Sequence, residues 1–334
     1  MKVAFFDIDS WSSPHIKRAF PDAILIEDRL SLENVYNHKD TQILSTFHTS
    51  DLSRVVLEKL PHLKLAAIRA TGYNNVDMQY CAKSNVIVCN VPTYGRRTVA
   101  EHAFGLILTL TRKLYTAIDR VKKDGKFNII GLQGTDLFGK TIGIVGLGEI
   151  GTSMLKIAKG FGMDVLIYTR TQDPTLAQEM DFEYAQDLDD LLGRSDIITL
   201  HLPLNEHTQH TINAKNIQNI KKGAYLINTA RGGLIETEAI LQALEEEILA
   251  GVGLDVLENE VEFQEEADLL SSHVRAKIDY ENLVLDHVLI KHEKVVVTPH
   301  NAFNSNEARL KILTTSFENI HNFLDGKPQN VVTA

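Results

Sequence analysis

The chain has 334 residues, a formal net charge of −10 and a hydrophobic fraction of 44%. This length suits two domains with separate cores, and an acidic surface repels nucleic-acid phosphates. No apolar run reaches the roughly 18 residues of a membrane span, and the two cysteines form no CxxC pair. We therefore expect a soluble cytoplasmic protein that binds neither nucleic acid nor membrane and has no disulfide or thiolate metal site.

Short apolar runs alternate with helical patterns through the first hundred residues. The runs are rich in Val, Ile, Leu and Phe, as buried parallel strands are; they read VAFFDI, AILIE, QILSTF, LKLAAIR and VIVCNV. Between them, LSRVVLEKL and VDMQYCAKS have helical spacing. This alternation predicts a parallel sheet covered by helices on both faces.

A long helical pattern follows over residues 98–122. Its centre, Phe104 to Leu110, is apolar on nearly all sides, whereas a surface helix has a polar face. We expect this stretch to be covered by more than its own domain, either between two domains or in a symmetric homodimer.

The rest of the chain repeats the alternation. Six segments predict strands: TIGIV, DVLIY, DIITLHLP, AYLINTA, AGVGLDV and KVVVTP. Five predict helices: EIGTSMLKIAKGF, DLDDLLGRS, AKNIQNIKKG, TEAILQALEEEIL and a closing helix, EARLKILTTSFENIHNFLDG. The order is that of a doubly wound dinucleotide-binding fold. We therefore expect an α/β protein with two Rossmann- or flavodoxin-like parallel-sheet domains and a cleft between them. Residues 1–98 with 300–334 would form the substrate domain, and residues 99–299 the dinucleotide-binding domain.

The stretch GLGEIG has the glycine spacing of a dinucleotide-binding turn. Gly146, Gly148 and Gly151 follow a strand and open a helix, which is the context that the motif requires. Gly146 permits the tight turn, and Gly148 lets the backbone approach the pyrophosphate. The N–H groups at the start of the helix then face the negative charge of the pyrophosphate.

The end of the next strand lacks the usual carboxylate. An acidic residue about 20 positions after the glycines usually binds the adenosine ribose hydroxyls, but Thr169 and Arg170 stand here. A guanidinium can pair with the 2′-phosphate of NADPH, which a carboxylate repels. The sequence therefore favours NADP(H) over NAD(H). The alternative is that Arg170 points to solvent and the protein uses NADH with reduced discrimination.

Three polar residues follow predicted strands of the second series. Arg231 follows AYLINTA, Glu260 follows AGVGLDV, and His300 follows KVVVTP. The carboxyl ends of parallel strands meet at the edge of the sheet where ligands bind. An arginine can hold a carboxylate through two hydrogen bonds, and a histidine beside a glutamate can donate a proton near neutral pH.

Several motifs resemble one enzyme family. AEHAFGLIL, GKTIGIVGLGEIG, LINTARGGLI, AGVGLDVLENE and TPHNAF are similar to the D-isomer-specific 2-hydroxyacid dehydrogenases. ATGYNNVD, NVPTYGRRTVAEHA and TPHNAFNSNEA most resemble the fermentative D-lactate dehydrogenases of that family. The resemblance implies NAD(P)-dependent reduction of small 2-oxo acids to D-2-hydroxy acids. It implies that Arg231 grips the substrate carboxylate and polarises the carbonyl, that His300 exchanges the proton, and that Glu260 orients and charges His300.

The same resemblance implies binding roles. Backbone groups of Thr71 and Gly72 would take the substrate carboxylate, and Tyr94 and Phe303 would line the side-chain pocket. Asp255 would hold the nicotinamide carboxamide. The other cofactor contacts would come from Gly146, Gly148, Glu149, Ile150, Gly151, Thr169, Arg170, His201, Pro203, Thr208, Thr229 and Ala230.

Two other functions are compatible with these motifs, and the sequence differs from the family pattern at two places. D-lactate dehydrogenases usually have Asp where Thr169 stands, so an NADPH-linked glyoxylate or hydroxypyruvate reductase is one alternative. A dinucleotide-sensing corepressor, similar to the C-terminal-binding proteins, is the other. The segment between Glu260 and His300 is longer than usual, and residues 258–268 carry six acids, which we interpret as a solvated loop.

His207 and His210 lack the i, i+4 spacing of paired metal ligands, so no metal site is expected.

Overall fold

The computed structural model describes residues 1–258 and 280–333. The predicted catalytic Glu260 and nearly all of the acidic run therefore lie outside the described residues. The chain forms two compact units: Met1–Tyr94 with Asn304–Ala334, and Gly95–Phe303. We call these the first and the second unit. Among the described residues, no helix has the length and apolar character needed to cross a membrane.

The first unit contains, in its described part, a five-stranded parallel sheet with the order β2-β1-β3-β4-β5. The strands are β1 (Val3–Phe5), β2 (Ile24–Leu25), β3 (Ile43–Thr46), β4 (Leu65–Ile68) and β5 (Ile87–Cys89). The helices are α1 (Ser12–Ala19), α2 (Arg54–Leu57), α3 (Met78–Lys83) and the closing α11 (Asn306–Leu324). Buried apolar clusters cover the sheet on both faces. The predicted parallel sheet is confirmed.

The second unit contains, in its described part, a seven-stranded parallel sheet with the order β12-β11-β10-β9-β6-β7-β8. The strands are β6 (Thr141–Val145), β7 (Asp164–Tyr168), β8 (Glu183–Tyr184), β9 (Ile197–Leu200), β10 (Ala224–Asn228), β11 (Leu249–Leu254) and β12 (Val295–Val297). The helices are α4 (Arg96–Thr111), α5 (Leu114–Asp124), α6 (Glu149–Gly160), α7 (Pro174–Met180), α8 (Leu188–Arg194), α9 (Thr237–Glu245) and α10 (Tyr280–Lys291). The doubly wound fold is confirmed, because the strand order reverses between β6 and β9.

The segment AKNIQNIKKG does not form the predicted helix, and only Ile217–Asn219 makes a short 3₁₀ turn. Two asparagine side chains bond to the backbone nearby. Asn213 Oδ1 accepts the N–H of Lys215 at 2.9 Å, and Asn216 Oδ1 accepts the N–H of Asn213 at 2.9 Å. Such local bonds compete with helical hydrogen bonds, so the prediction of a helix here is wrong.

The long helix predicted over residues 98–122 is in fact two helices, α4 and α5. The chain breaks at Lys113, whose φ of 50° is in the left-handed region. The apolar centre of α4 is buried in the core of its own unit, where Phe104, Leu106 and Ile107 pack with strands and α6. Leu108 and Leu110 in the same stretch are only partly buried, so the expectation of a cover beyond its own domain stays a prediction. By contrast, α5 buries none of its residues.

Candidate active site

The glycine turn lies at the point where the strand order of the second unit reverses. Gly146 follows β6 with a φ of 100°, and its N–H donates to the carbonyl of Tyr168 at 2.8 Å. On the other side, the N–H of His201, which follows β9, donates to the carbonyl of Val145 at 2.8 Å. In open parallel sheets, dinucleotides bind in the crevice outside the carboxyl ends of the strands at such a reversal.

The three glycines differ in what surrounds them. A Cβ at Gly146 would lie 2.6 Å from the carbonyl oxygen of His201, and one at Gly151 would lie 2.1 Å from that of Gly146. Only glycine allows these close backbone approaches. A Cβ at Gly148 would meet nothing within 4 Å, so the protein leaves open space there. The turn therefore fits a pyrophosphate on the N–H groups at the start of α6.

Two buried polar atoms near these strand ends have no hydrogen-bond partner among the described residues: His201 Nδ1 and Thr229 Oγ1. The other ring nitrogen of His201 lies 2.9 Å from Thr199 Oγ1. Burial lowers the pKa of His201 to about 3, so its ring is neutral at physiological pH. A neutral imidazole and a hydroxyl suit the polar groups of a dinucleotide, and both atoms would gain a partner from it.

The hydroxyl of Thr208 makes hydrogen bonds across the loop that follows His201. Thr208 Oγ1 donates to the carbonyl of Pro203 at 2.6 Å and accepts the N–H of Asn205 at 2.9 Å. The predicted cofactor residues Pro203 and Thr208 are therefore fixed relative to each other beside the reversal point.

The adenosine side of the predicted site has an arginine but no carboxylate at the end of β7. Thr169 is half-buried and Arg170 is exposed. Farther along the glycine turn, Glu149 Oε2 forms an ion pair with Arg96 Nη1 at 2.7 Å. Arg96 was not predicted as a site residue; it offsets the charge of Glu149 where an anionic pyrophosphate would lie.

Arg231 lies in the turn that follows β10. Its Nη1 donates to the carbonyl of Ala230 at 2.6 Å, and Asn228 Nδ2 donates to the carbonyl of Arg231 at 2.8 Å. A Cβ at the next residue, Gly232, would lie 1.8 Å from the carbonyl oxygen of Leu257. The glycine thus lets the Arg231 turn pack against the segment that leaves β11.

Asp255, at the end of β11, accepts hydrogen bonds from the turn that follows β12. Its carboxylate accepts Thr298 Oγ1 at 2.5 Å and the N–H groups of Asn301 and Ala302 at 2.8 Å each. His102 Nε2 lies 3.4 Å from the same carboxylate. Burial alone would raise the pKa of Asp255, but these hydrogen bonds outweigh it and hold that pKa below its usual value.

His300 belongs to the same turn. Its backbone has a φ of 49°, and its N–H donates to the carbonyls of Asp255 at 2.8 Å and Thr298 at 3.0 Å. The ring of Phe303 lies edge-on to the His300 ring, with 6.5 Å between centroids. Because β10, β11 and β12 are adjacent and parallel, the structure brings Arg231, Asp255 and His300 to one edge of the sheet. Thr71, Gly72 and Tyr94 belong to the first unit.

His210 contacts a glutamate near the end of β11. His210 Nε2 lies 2.5 Å from Glu258 Oε1, while Glu258 Oε2 accepts the hydroxyl and the N–H of Thr237 at 2.8 and 3.0 Å. His207 is exposed beside Glu206. Within residues 1–258 and 280–333, no group of three His, Cys, Asp or Glu residues could hold a metal ion.

His102 also belongs to this strand edge, although it was not predicted as a site residue; its Nε2 lies 3.0 Å from Thr298 Oγ1. The feature of the sequence that could have indicated this residue is a histidine just before the apolar centre of α4. A polar side chain that is partly buried needs a partner, but the sequence does not show which segment supplies it.

The doubly wound sheet and its glycine turn define an NAD(P)-binding protein. A profile of the D-isomer specific 2-hydroxyacid dehydrogenase NAD-binding domain matches residues 104–302. The chain is 33% identical to the D-lactate dehydrogenase of Escherichia coli over 98% of both chains. It is 34% identical to the glyoxylate reductase of Thermococcus litoralis, over 98% of this chain and 91% of that one. It also matches the structure of D-lactate dehydrogenase from Aquifex aeolicus, complexed with NAD and lactic acid, with a TM-score of 0.84 and 31% identity, over 98% and 96% of the two chains. The chain therefore belongs to the D-isomer specific 2-hydroxyacid dehydrogenase family, whose members are oxidoreductases that act on CH–OH groups.

We expect His201 to make the protein less stable in acid. Below pH 6.5, the ordinary pKa of histidine, the unfolded chain binds a proton that the folded ring takes up only near pH 3. Stability should therefore fall as the pH drops from 6.5 towards 3. His201→Gln removes this contribution, so its melting temperature should fall less than that of the wild type between pH 7 and pH 5. His207→Gln, at an exposed ring, is the control; equal slopes for all three proteins would contradict the prediction.

Proposed function

We propose that this dehydrogenase reduces a small 2-oxo acid, with pyruvate and D-lactate as the leading pair. The observation that carries the proposal is the arrangement at the ends of β10, β11 and β12. Arg231 follows β10 and His300 follows β12, the two strands on either side of β11. Asp255, which follows β11, accepts hydrogen bonds from the turn that contains His300. The similarity to D-lactate dehydrogenases supports the choice of substrate.

Each residue has a distinct task in this proposal. The nicotinamide, when bound, supplies a hydride for the substrate carbonyl carbon. His300 gives a ring proton to the carbonyl oxygen, which becomes the D-hydroxyl group, and takes a proton back in the reverse direction. Arg231 holds the substrate carboxylate with two parallel hydrogen bonds and polarises the carbonyl. Glu260, outside the described residues, would orient and charge His300.

Replacing His300 tests the proposal. In a panel of 2-oxo acids assayed with NADH and NADPH, we expect the wild type to reduce pyruvate most efficiently. His300→Gln should lower kcat by about 10² or more, the usual scale of acid–base assistance, while the dissociation constant of the dinucleotide stays unchanged. His292→Gln, in the loop at the other end of β12, is the control. Near-normal turnover in His300→Gln would remove His300 from the mechanism.

We also propose that NADPH is preferred over NADH. Arg170 is exposed at the end of β7, so its guanidinium is accessible to a 2′-phosphate, and Thr169 brings no carboxylate to repel that phosphate. Thr169 and Arg170 also favour a second candidate function, that of an NADPH-linked glyoxylate reductase. In that case glyoxylate, included in the panel of 2-oxo acids, should be reduced more efficiently than pyruvate. One charge-assisted contact is worth about 1.5–3 kcal/mol, and solvent screening reduces this at an exposed site.

The cofactor proposal predicts an NADPH preference of about tenfold or somewhat more in kcat/KM. Arg170→Ala should raise the KM for NADPH and leave the KM for NADH unchanged. Thr169→Asp should shift the preference towards NADH, whereas Thr171→Asp, which adds the same charge at an exposed position two residues on, should shift it less. A wild type that strongly prefers NADH, together with unchanged constants in Arg170→Ala, would refute the proposal.

We propose further that the protein is a homodimer, through α5 and the loop after it. Phe127, Ile129 and Ile130 in this loop are 94%, 87% and 79% exposed. On α5, Leu114, Tyr115, Ile118 and Val121 are also exposed. Arg120 Nη1 donates to the carbonyls of Asn128 and Ile130 at 3.2 and 2.7 Å. These hydrogen bonds connect the loop to α5. An ordered apolar surface of this kind is typical of a protein–protein interface, and two-fold pairing is the commonest closed symmetry.

Light scattering tests the dimer. We expect a dimer mass at micromolar concentration for the wild type and a monomer mass for Phe127→Asp combined with Ile130→Asp, because buried charges at the interface lack partners. Val55→Asp, at a 54% exposed apolar position in the first unit, should remain dimeric. A monomeric wild type would show that this surface is not a dimer interface.

We propose that the protein is cytoplasmic. Cys81 and Cys89 are both free and buried, and burial raises the pKa of each thiol to about 11. Free thiols are typical of reducing compartments, and these two are unreactive because the thiolate is the reactive form.

A further inference from the structure

The peptide unit that joins Thr71 to Gly72 follows β4 in the first unit. Neither Thr71 N–H nor Gly72 N–H donates a hydrogen bond within residues 1–258 and 280–333. Thr71 is exposed and Gly72 is half-buried, so this peptide unit lies at the surface of the first unit. The inference below rests on the proposed function and on the role that the family resemblance implies for these two backbone groups, which is to bind the substrate carboxylate.

The carbonyl of this peptide unit is held by Asn90, which follows β5. Asn90 Nδ2 donates to the carbonyl oxygen of Thr71 at 2.7 Å, and Asn90 is buried. A trans peptide is planar, with its C=O and N–H pointing in opposite directions. Fixing the Thr71 oxygen therefore also fixes the direction of the Gly72 N–H. The Thr71 hydroxyl restrains the same residue further, because it donates to the carbonyl of Val91 at 2.9 Å.

Asn90 is itself held by residues near the end of the chain. Asn319, buried in α11, donates through Nδ2 to the carbonyl of Asn90 at 2.8 Å. Asn330 Nδ2 donates to Asn319 Oδ1 at 2.8 Å, and the N–H of Asn90 donates to the carbonyl of Asn330 at 3.1 Å. Three asparagines thus form a continuous series of amide hydrogen bonds that ends at the Thr71 carbonyl.

We propose that Asn90 is a positioning residue for substrate binding and that Asn319 holds Asn90 in place. The amide hydrogen on the Thr71 oxygen aims the Gly72 N–H and polarises the peptide, which makes that N–H a stronger donor to a carboxylate. None of these amides titrates, so the arrangement is the same at every pH at which the enzyme works. A residue of the last helix, Asn319, thereby influences the affinity for the substrate anion.

A purely structural role for the asparagines makes a different prediction. If they only fasten β5 to the end of the chain, their loss lowers stability without changing how the substrate is bound. If they aim the Gly72 N–H, their loss weakens the binding of every 2-oxo acid. A contact made equally in the ground state and the transition state changes KM and leaves kcat nearly constant.

The test compares Asn90→Leu and Asn319→Leu, which keep a similar volume without hydrogen bonds. With saturating dinucleotide, we expect the KM for pyruvate and the inhibition constant of oxamate to rise about tenfold in Asn90→Leu, as for one lost hydrogen bond to a charged group. Both constants should rise about threefold in Asn319→Leu, while kcat and the dinucleotide dissociation constant stay within about twofold of the wild type. Asn34→Leu is the matched control, since Asn34 Nδ2 also donates to a backbone carbonyl of the first unit, that of Arg29, at 2.8 Å.

The outcomes separate this inference from the function on which it rests. If the wild type reduces pyruvate but both asparagine variants keep its KM and oxamate constant, the inference is overturned and the proposed function stands. A wild type that reduces no 2-oxo acid overturns both. Asn90→Ser, whose shorter side chain cannot reach the Thr71 carbonyl that Asn90 Nδ2 meets at 2.7 Å, provides the same comparison if Asn90→Leu does not fold. Its KM should then rise by at least as much as that of Asn319→Leu, or the inference fails.

Discussion

The buried carboxylate of Asp255 organises the end of the sheet on which the proposed chemistry depends. Its side chain is fully buried, and it accepts hydrogen bonds from Thr298, Asn301 and Ala302. Those donors belong to the turn that holds His300 in a left-handed conformation, which is unfavourable for a residue with a Cβ. An apolar side chain at this position would remove all three hydrogen bonds and leave the buried N–H of Ala302 without this acceptor. The conformation of the His300 turn therefore depends on a residue from the neighbouring strand.

Much of the fold could be predicted because buried parallel strands have continuous apolar runs. The runs that end at Val145 and Leu200 belong to such strands, and their order along the chain was enough to predict a doubly wound sheet. The errors arose where a local conformation overrides periodicity. A left-handed residue, Lys113, divides one helical pattern, and the side chains of Asn213 and Asn216 compete for backbone hydrogen bonds in another. Residue periodicity does not reveal either effect.

The candidate site was predictable to the extent that its residues occupy strand ends. Arg231 and His300 reach one sheet edge because of strand order, which a sequence can indicate. The supporting contacts could not be predicted in the same way. Glu149 pairs with Arg96, and Thr71 is held by Asn90; both pairs join distant segments. A pattern within one segment carries no information about which distant side chain will pack against it.

The discontinuous first unit has a consequence for synthesis of the protein. Its fifth strand pairs with the last residues of the chain, since Cys89 and Val331 form a β-bridge and Asn90 bonds to Asn330. The ribosome makes residues 1–94 first, but this unit is completed only after residues 95–303 have emerged. The dinucleotide-binding unit is continuous and can fold earlier, because domains generally fold as units during synthesis. The unit begun first is therefore the last to be finished, and a chain that stops early keeps a cofactor fold without its completed partner.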